Sequence, residues 1–258
     1  MIWFPQIGSG SIAQFPITRS RQWRTIVNSL ESGERITLPD QYANQIAWQL
    51  AYQDLSDVEV RNLTGLFGAC KGRAAMFGFV DPLANLLGWS EDLTRPDWQT
   101  GLIVAGPGVI DPFGSLRACS ITNNSAGALN LQQTLEISGD YVACFSLWVK
   151  GWTRSTAVLQ HDSTQIPVPV GTGWSRVFIS GSGLSGASHS TFAISISPGQ
   201  QIDVFGPQVE AQPHPSAYKK TVTARGIYSQ TRFASDDLNI VSTGVGRSSC
   251  RFALQSQI

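Results

Sequence analysis

Between residues 86 and 223, apolar residues come only in short runs, each broken within a few positions by Gly, Ser, Asn or Pro, and no helical period is sustained. That pattern admits strands and turns and little else. It predicts strands over 102–105, 116–122, 128–135, 141–149, 157–161, 175–179, 191–196 and 201–205. Turn residues separate them, among them Asn123-Asn124-Ser125, Ser138-Gly139-Asp140, Gly171-Thr172-Gly173 and Pro198-Gly199. Short strands at this spacing make a two-sheet sandwich, here expected to be a jelly roll. Phe192, Ile194 and Ile196 occupy alternate positions, as do Tyr141, Ala143, Phe145, Leu147 and Val149. Side chains alternate faces along a strand, so these point inward and Ser146 and Trp148 point the other way.

The preceding stretch reads differently. Strands are expected at 21–27, at 35–38 with its end at Pro39, and at 46–53, where Ile46, Trp48, Leu50 and Tyr52 share a face. Ser56-Asp57-Val58-Glu59 predicts a helix start. The Ser56 side chain can accept from the backbone N–H three residues on, while Glu59 reaches back to the Ser56 amide. The helix runs to Lys71-Gly72, with Gly72 available for a left-handed cap. A strand over 74–80 follows. Three or four strands and one helix make a thin core, so this flank is incomplete by itself.

After residue 226 come strand-like stretches at 226–233, 239–241 and 249–256, too few and short to build a core. Joined to the first flank they give a normal domain size: residues 1–84 plus 226–258, about 117 in all. Residues 85–225 are then an insertion, leaving through Asp81-Pro82-Leu83-Ala84 and returning through Ala224-Arg225-Gly226. The expected fold class is mainly β: a small β-barrel or sandwich with one helix, built from both chain ends and interrupted by an inserted β-sandwich of jelly-roll type.

Charge narrows the function. Eighteen Lys and Arg balance eighteen Asp and Glu, and only 14% of residues are charged. Neither nucleic-acid specificity nor attraction to an anionic membrane is expected, and a charge-poor surface favours packing against other proteins. No run approaches the roughly 20 apolar residues that span a bilayer. The N-terminus lacks the charged region and apolar core of a signal peptide, so synthesis in the cytoplasm is expected. Cys70, Cys119, Cys144 and Cys250 form no C-x-x-C and have no His beside them, which argues against zinc. Buried free thiols are expected, with a Cys119–Cys144 bridge left open for an oxidising compartment. His161, His189 and His214 are scattered, and Glu91, Asp92, Asp97, Glu136, Asp140, Asp162, Asp203 and Glu210 offer no pair suited to glycoside hydrolysis. No enzyme activity, cofactor or metal is expected.

Five of the eight tryptophans lie in the insertion: Trp89, Trp98, Trp148, Trp152 and Trp174. Trp148 and Trp152, with Arg154, are the candidate glycan-binding residues, because aromatic rings stack on sugar faces and Arg holds hydroxyls. Two other uses stay open for them: covering core edges, and meeting a neighbouring subunit. Trp89, Trp98 and Trp174 are expected in core or strand-end packing.

Two resemblances follow from these residues. Trp89-Ser90-Glu91-Asp92-Leu93, Trp98, Ser138-Gly139-Asp140-Tyr141, Trp174-Ser175-Arg176, Gly206-Pro207-Gln208-Val209-Glu210 and Pro215-Ser216-Ala217-Tyr218 resemble the carbohydrate-binding-module-like jelly rolls of many phage tail proteins. In the flanks, the capped helix, Arg73 leading to Phe77-Gly78-Phe79-Val80-Asp81, and Thr231-Arg232-Phe233-Ala234-Ser235-Asp236-Asp237-Leu238 are similar to the distal tail, or tail-hub, proteins of long-tailed phages and gene transfer agents. That resemblance implies a virion structural protein: a homo-oligomeric ring, hexameric in the family, below the tail tube and among other tail-tip proteins. It also implies that the inserted jelly roll can meet host cell-surface carbohydrate. Edge strands around 35–38 and 48–52, with helix 56–71, are the expected ring surface. A glycan-binding adhesion module without a ring, and a polysaccharide-degrading enzyme, remain as alternatives.

Overall fold

The computed structural model describes residues 1–223 and 225–257, the side chains of 41 and 42 excepted. Ala224, at the expected return junction, and the terminal Ile258 lie outside the described residues. The fold is mainly β with one helix, and the chain divides into two compact units. The first holds residues 1–8, 12–79 and 228–258, the second 9–11 and 80–227.

The first unit is one six-stranded sheet with a helix. Its strands are β1 (Thr18–Ser29), β2 (Arg35–Leu55), β3 (Phe77–Val80), β13 (Ile227–Phe233), β14 (Ile240–Gly244) and β15 (Arg247–Gln257), and the helix is α1 (Asp57–Cys70). The order is β1-β2-β15-β13-β3, with β14 beside β15. Chain-terminal β15 pairs with β2 from Ser248↔Leu55 to Gln257↔Gln45. The expected face of Ile46, Trp48, Leu50 and Tyr52 is buried, together with Phe252 and Leu254. Phe4, Phe77, Phe79 and Phe233 complete an aromatic core, with Trp48–Phe79 and Phe77–Phe233 centroids both 4.8 Å apart.

The helix start forms as the sequence predicts. The Glu59 N–H donates to Ser56 Oγ, and the Ser56 N–H donates to Glu59 Oε2 at 2.7 Å. Glu59 Oε1 also accepts from the Gly8 N–H at 2.7 Å, tying the N-terminal segment to the helix. Burial pushes the Glu59 carboxyl up, but these bonds prevail and hold it below its ordinary range. At the far end the left-handed cap is Lys71, with φ 50°, rather than Gly72 alone.

Three strand expectations need correction. The stretches 35–38 and 46–53 are one strand, β2, running through Pro39. Among the described residues β2 has only β1 beside it there, so a residue without an N–H is tolerated as on an edge strand. Residues 71–75 form turns, which leaves only Phe77–Val80 as strand. The strand over 164–170 was not expected at all.

The second unit is a β-sandwich. One sheet has five strands, β4 (Ile103–Val109), β5 (Ala118–Asn123), β7 (Val142–Gly151), β10 (Ser175–Ser182) and β12 (Gln201–Glu210), in the order β10-β7-β12-β5-β4. The other has four, β6 (Leu129–Leu135), β8 (Ser155–His161), β9 (Thr164–Val170) and β11 (Ser190–Ile196), in the order β6-β11-β8-β9. The two inner faces meet through Phe145 and Phe192, 5.9 Å apart, with Leu147, Val149, Ile194 and Ile196 buried around them. All four cysteines are free and buried.

Candidate functional site

The outer face of the five-stranded sheet is set by strand parity. Ser146, Trp148 and Lys150 on β7 share it with Arg176 and Phe178 on β10 and with Asp203 and Phe205 on β12. Two different surfaces result along its length.

One part is covered by the chain itself. The Phe205, Tyr218 and Phe113 rings stand 5.7, 5.8 and 5.7 Å from Trp148, and the Arg176 guanidinium lies 4.4 Å above it. Trp148 is therefore a packed, half-buried ring and not an open platform. Gly206 makes this possible: its φ is +59°, and a Cβ there would come 2.8 Å from the Tyr218 ring. At the end of β12 the buried Glu210 accepts from Lys219 Nζ at 2.6 Å and from the Ser216 N–H at 2.9 Å. Burial raises its pKa, yet those donors outweigh it and hold the carboxyl below its ordinary range.

A strap, residues 110–117, crosses the same face. Buried Asp111 accepts from the Phe113 and Ser115 N–H groups and from Arg117 Nε at 2.6 Å. These bonds overcome the upward push of burial and lower the Asp111 pKa. The strap reaches the far edge, where Ile110 O accepts from Trp174 Nε1 at 3.2 Å.

Beyond the strap the sheet is half-open. Register places Ser120, Asp203 and Lys150 in one row, with Gln201 opposite Thr122 in the next. Lys150 Nζ sits 3.2 Å from Asp203 and 5.3 Å from the Trp174 ring centroid, and Gln201 Nε2 donates to Ser120 Oγ at 3.0 Å. Trp152 stands two residues past Lys150 in the bend after β7, 74% exposed, and Arg154 is exposed beside it in sequence. The row joins aromatic surface to hydroxyl, amide, ammonium and carboxylate groups within one charge-balanced strip. That is the chemistry that holds sugar hydroxyls against a ring face. Strand register brings Lys150, Asp203 and Ser120 into one row, which the sequence alone does not show, while Trp152 and Arg154, singled out from the sequence, lie in the loop after β7. Among the described residues no group of His, Cys, Asp and Glu could hold a metal ion, and no helix is long and apolar enough to cross a membrane.

The first unit carries a second surface. All twelve residues of β1 are exposed, and so is β2 from Arg35 to Pro39. From the buried Ile46 the β1–β2 pair continues to Arg35↔Ser29, where both strands are exposed, and the arm displays Trp23, Val27, Leu30 and Leu38 to solvent, Trp23 at 68%. The expectation of an edge strand at 48–52 is corrected: Trp48 and Gln49 pair with both β1 and β15, residues 50–52 pair with β15, and Trp48, Leu50 and Tyr52 are buried, while 35–38 lies on this arm.

No protein-family model matches the chain, and no curated protein does. Solved structures are similar over about half of it. The enzymatically active domain of tailspike protein 4 of bacteriophage CBA120 is 16% identical with a TM-score of 0.39, covering 51% of this chain and 22% of that one. The CBM22-1 xylan-binding domain of Paenibacillus barcinonensis Xyn10C is 15% identical, TM-score 0.40, covering 55% and 100%. TmCBM61, solved with β-1,4-galactotriose, is 11% identical, TM-score 0.36, covering 50% and 99%. The chain spans about a fifth of the tailspike domain's length.

Proposed function

We propose that this protein is a structural subunit of a phage tail tip, that its first unit assembles into a ring of copies below the tail tube, and that its second unit presents the Lys150–Asp203–Trp174 row to host-surface saccharide. The observation that carries the reading is the β1–β2 arm. A two-stranded ribbon is marginal in water without a covering layer, and this one shows apolar side chains and an unpaired strand edge to solvent. An edge of that kind pairs with another chain unless it is blocked. The arm is thus a surface completed by assembly, and the low charge of the chain suits permanent packing. The tail-tip location rests on the resemblance of the two flanks to tail-hub proteins, and six copies is the number that resemblance implies.

Mass photometry of the full chain across a concentration series tests the assembly. A species of six subunit masses supports the ring, and a monomer at every concentration removes it. A glycan-binding module that never assembles is the second reading, favoured by the polar and aromatic row alone. A strictly monomeric chain that still binds oligosaccharide would decide for it. On the leading reading the protein is not an enzyme, so incubation with host polysaccharide releases no reducing ends.

A further inference from the structure

We infer that the groove between β2, β14 and β15 is the seat for the β1–β2 arm of a second copy, with Trp23 as the side chain that fills it. This rests on the assembly reading above and names where one copy holds the next. The groove encloses about 560 Å³ and is lined by Ala51, Asp54, Asp237, Val241, Cys250 and Arg251, among others. Its size falls in the range of pockets that take a large side chain or a small ligand.

Three observations point to this occupant. First, the arm cannot reach its own groove. Trp23 lies between the register pairs Gln22↔Gln45 and Arg24↔Asp40, opposite residues 41–44 of β2. The groove is lined by residues 51–54 of that same strand. At 3.3 Å per residue, about ten residues separate them by ~33 Å, and the β1 pairing holds the arm along β2 over that length. Second, the charges are complementary. β1 carries Arg19, Arg21 and Arg24 and no acid, Arg24 lying 3.7 Å from Asp40 of its own arm, while the groove presents exposed Asp54 and Asp237. Third, the groove is bordered by a second exposed edge strand. Every residue of β14 is exposed, and of these Val241 lines the groove.

Knob and seat therefore occupy different places on one chain. Two copies can exchange arms reciprocally, but the ring reading requires the head-to-tail form, in which each copy gives its arm to one neighbour and receives an arm from another. It closes into a ring when the rotation permits and otherwise runs on as a filament.

Cysteine cross-linking in the full chain tests the contact, because the four native thiols are buried. In a Cys250→Ser background, since Cys250 lines the groove, Trp23→Cys with Val241→Cys, oxidised under native conditions, is expected to give a ladder of covalent oligomers on denaturing gels, and either single variant none. Val241→Arg and Trp23→Ser are each expected to raise the concentration at half-assembly at least tenfold with an unchanged melting temperature. The double variant Arg21→Asp with Asp237→Arg is expected to recover assembly lost in either single variant. An assembled wild type with no ladder, and with Val241→Arg still assembled, would overturn this inference and leave the ring standing. A wild type that is monomeric throughout would remove the ring and the seat together.

Discussion

Trp148 and Trp152 stand four residues apart in different surroundings. The first is hemmed in by Phe113, Phe205, Tyr218 and Arg176, the second is open. Trp152→Ala is expected to weaken oligosaccharide binding at least tenfold, read by calorimetry or a glycan array, without moving the melting temperature. Trp148→Ala is expected to cost about 3–5 kcal/mol of stability, as large aromatic truncations in packed sites do; denaturant unfolding reads this. Glu210 gives the pH dependence. Its folded pKa is depressed, so its contribution is fully present above the unfolded value of about 4.3 and is lost as pH falls through the folded value. Stability should fall on acidification below about pH 4, and Glu210→Gln should be less stable at pH 7 with a shallower acid limb. A limb as steep as wild type would show that Glu210 does not carry it. The parity that puts Ser146 and Trp148 on the outer face was legible in alternation along 141–149. The strap over Trp148 was not, because it is held by Asp111 and Arg117, residues that read as ordinary turn polars until register places them.

Among the elements, α1 shows how much a local motif can fix. Ser56 and Glu59 form the capping box from four residues of sequence, and Glu59 adds the Gly8 bond, which no local motif contains. Ser56→Ala should cost about 1 kcal/mol by thermal or denaturant unfolding, and Glu59→Ala more, since it frees the Gly8 amide as well. Equal losses would mean that the Gly8 bond contributes nothing. β9 shows the opposite case. Thr164–Val170 contains Pro167 and Pro169, a composition that argues against a strand, yet it forms the outer edge of the four-stranded sheet with only β8 as neighbour. A proline's missing N–H is tolerated there because it can face solvent. β2 hid its length in the same way, at Pro39. Propensity is read residue by residue, whereas these exceptions are licensed by sheet position, which the sequence shows only indirectly.

For the whole molecule, the two proposed roles fall on separate units. The sandwich carries a charge-balanced row, with Asp203 held by Lys150. The other unit takes strands from both chain ends into one sheet and leaves an arm of β1 and β2 without cover. Jelly-roll architecture was legible from turn spacing, and the mainly β class with one helix from the isolated capping box. The arm was not, because Arg21-Gln22-Trp23-Arg24 and Ile26-Val27 read as any short strand until burial shows both faces bare. Assembly is the central claim, and shortening the arm tests it at its source. Replacing residues 23–44 by a two-residue Asn-Gly turn removes Trp23, joins the paired Gln22 and Gln45, and keeps the part of β2 that pairs with β15. In mass photometry the wild type should show a species of six subunit masses, and the shortened chain, still folded by circular dichroism, a monomer. A wild type that stays monomeric at micromolar concentration, or a shortened chain that assembles equally well, would contradict the account.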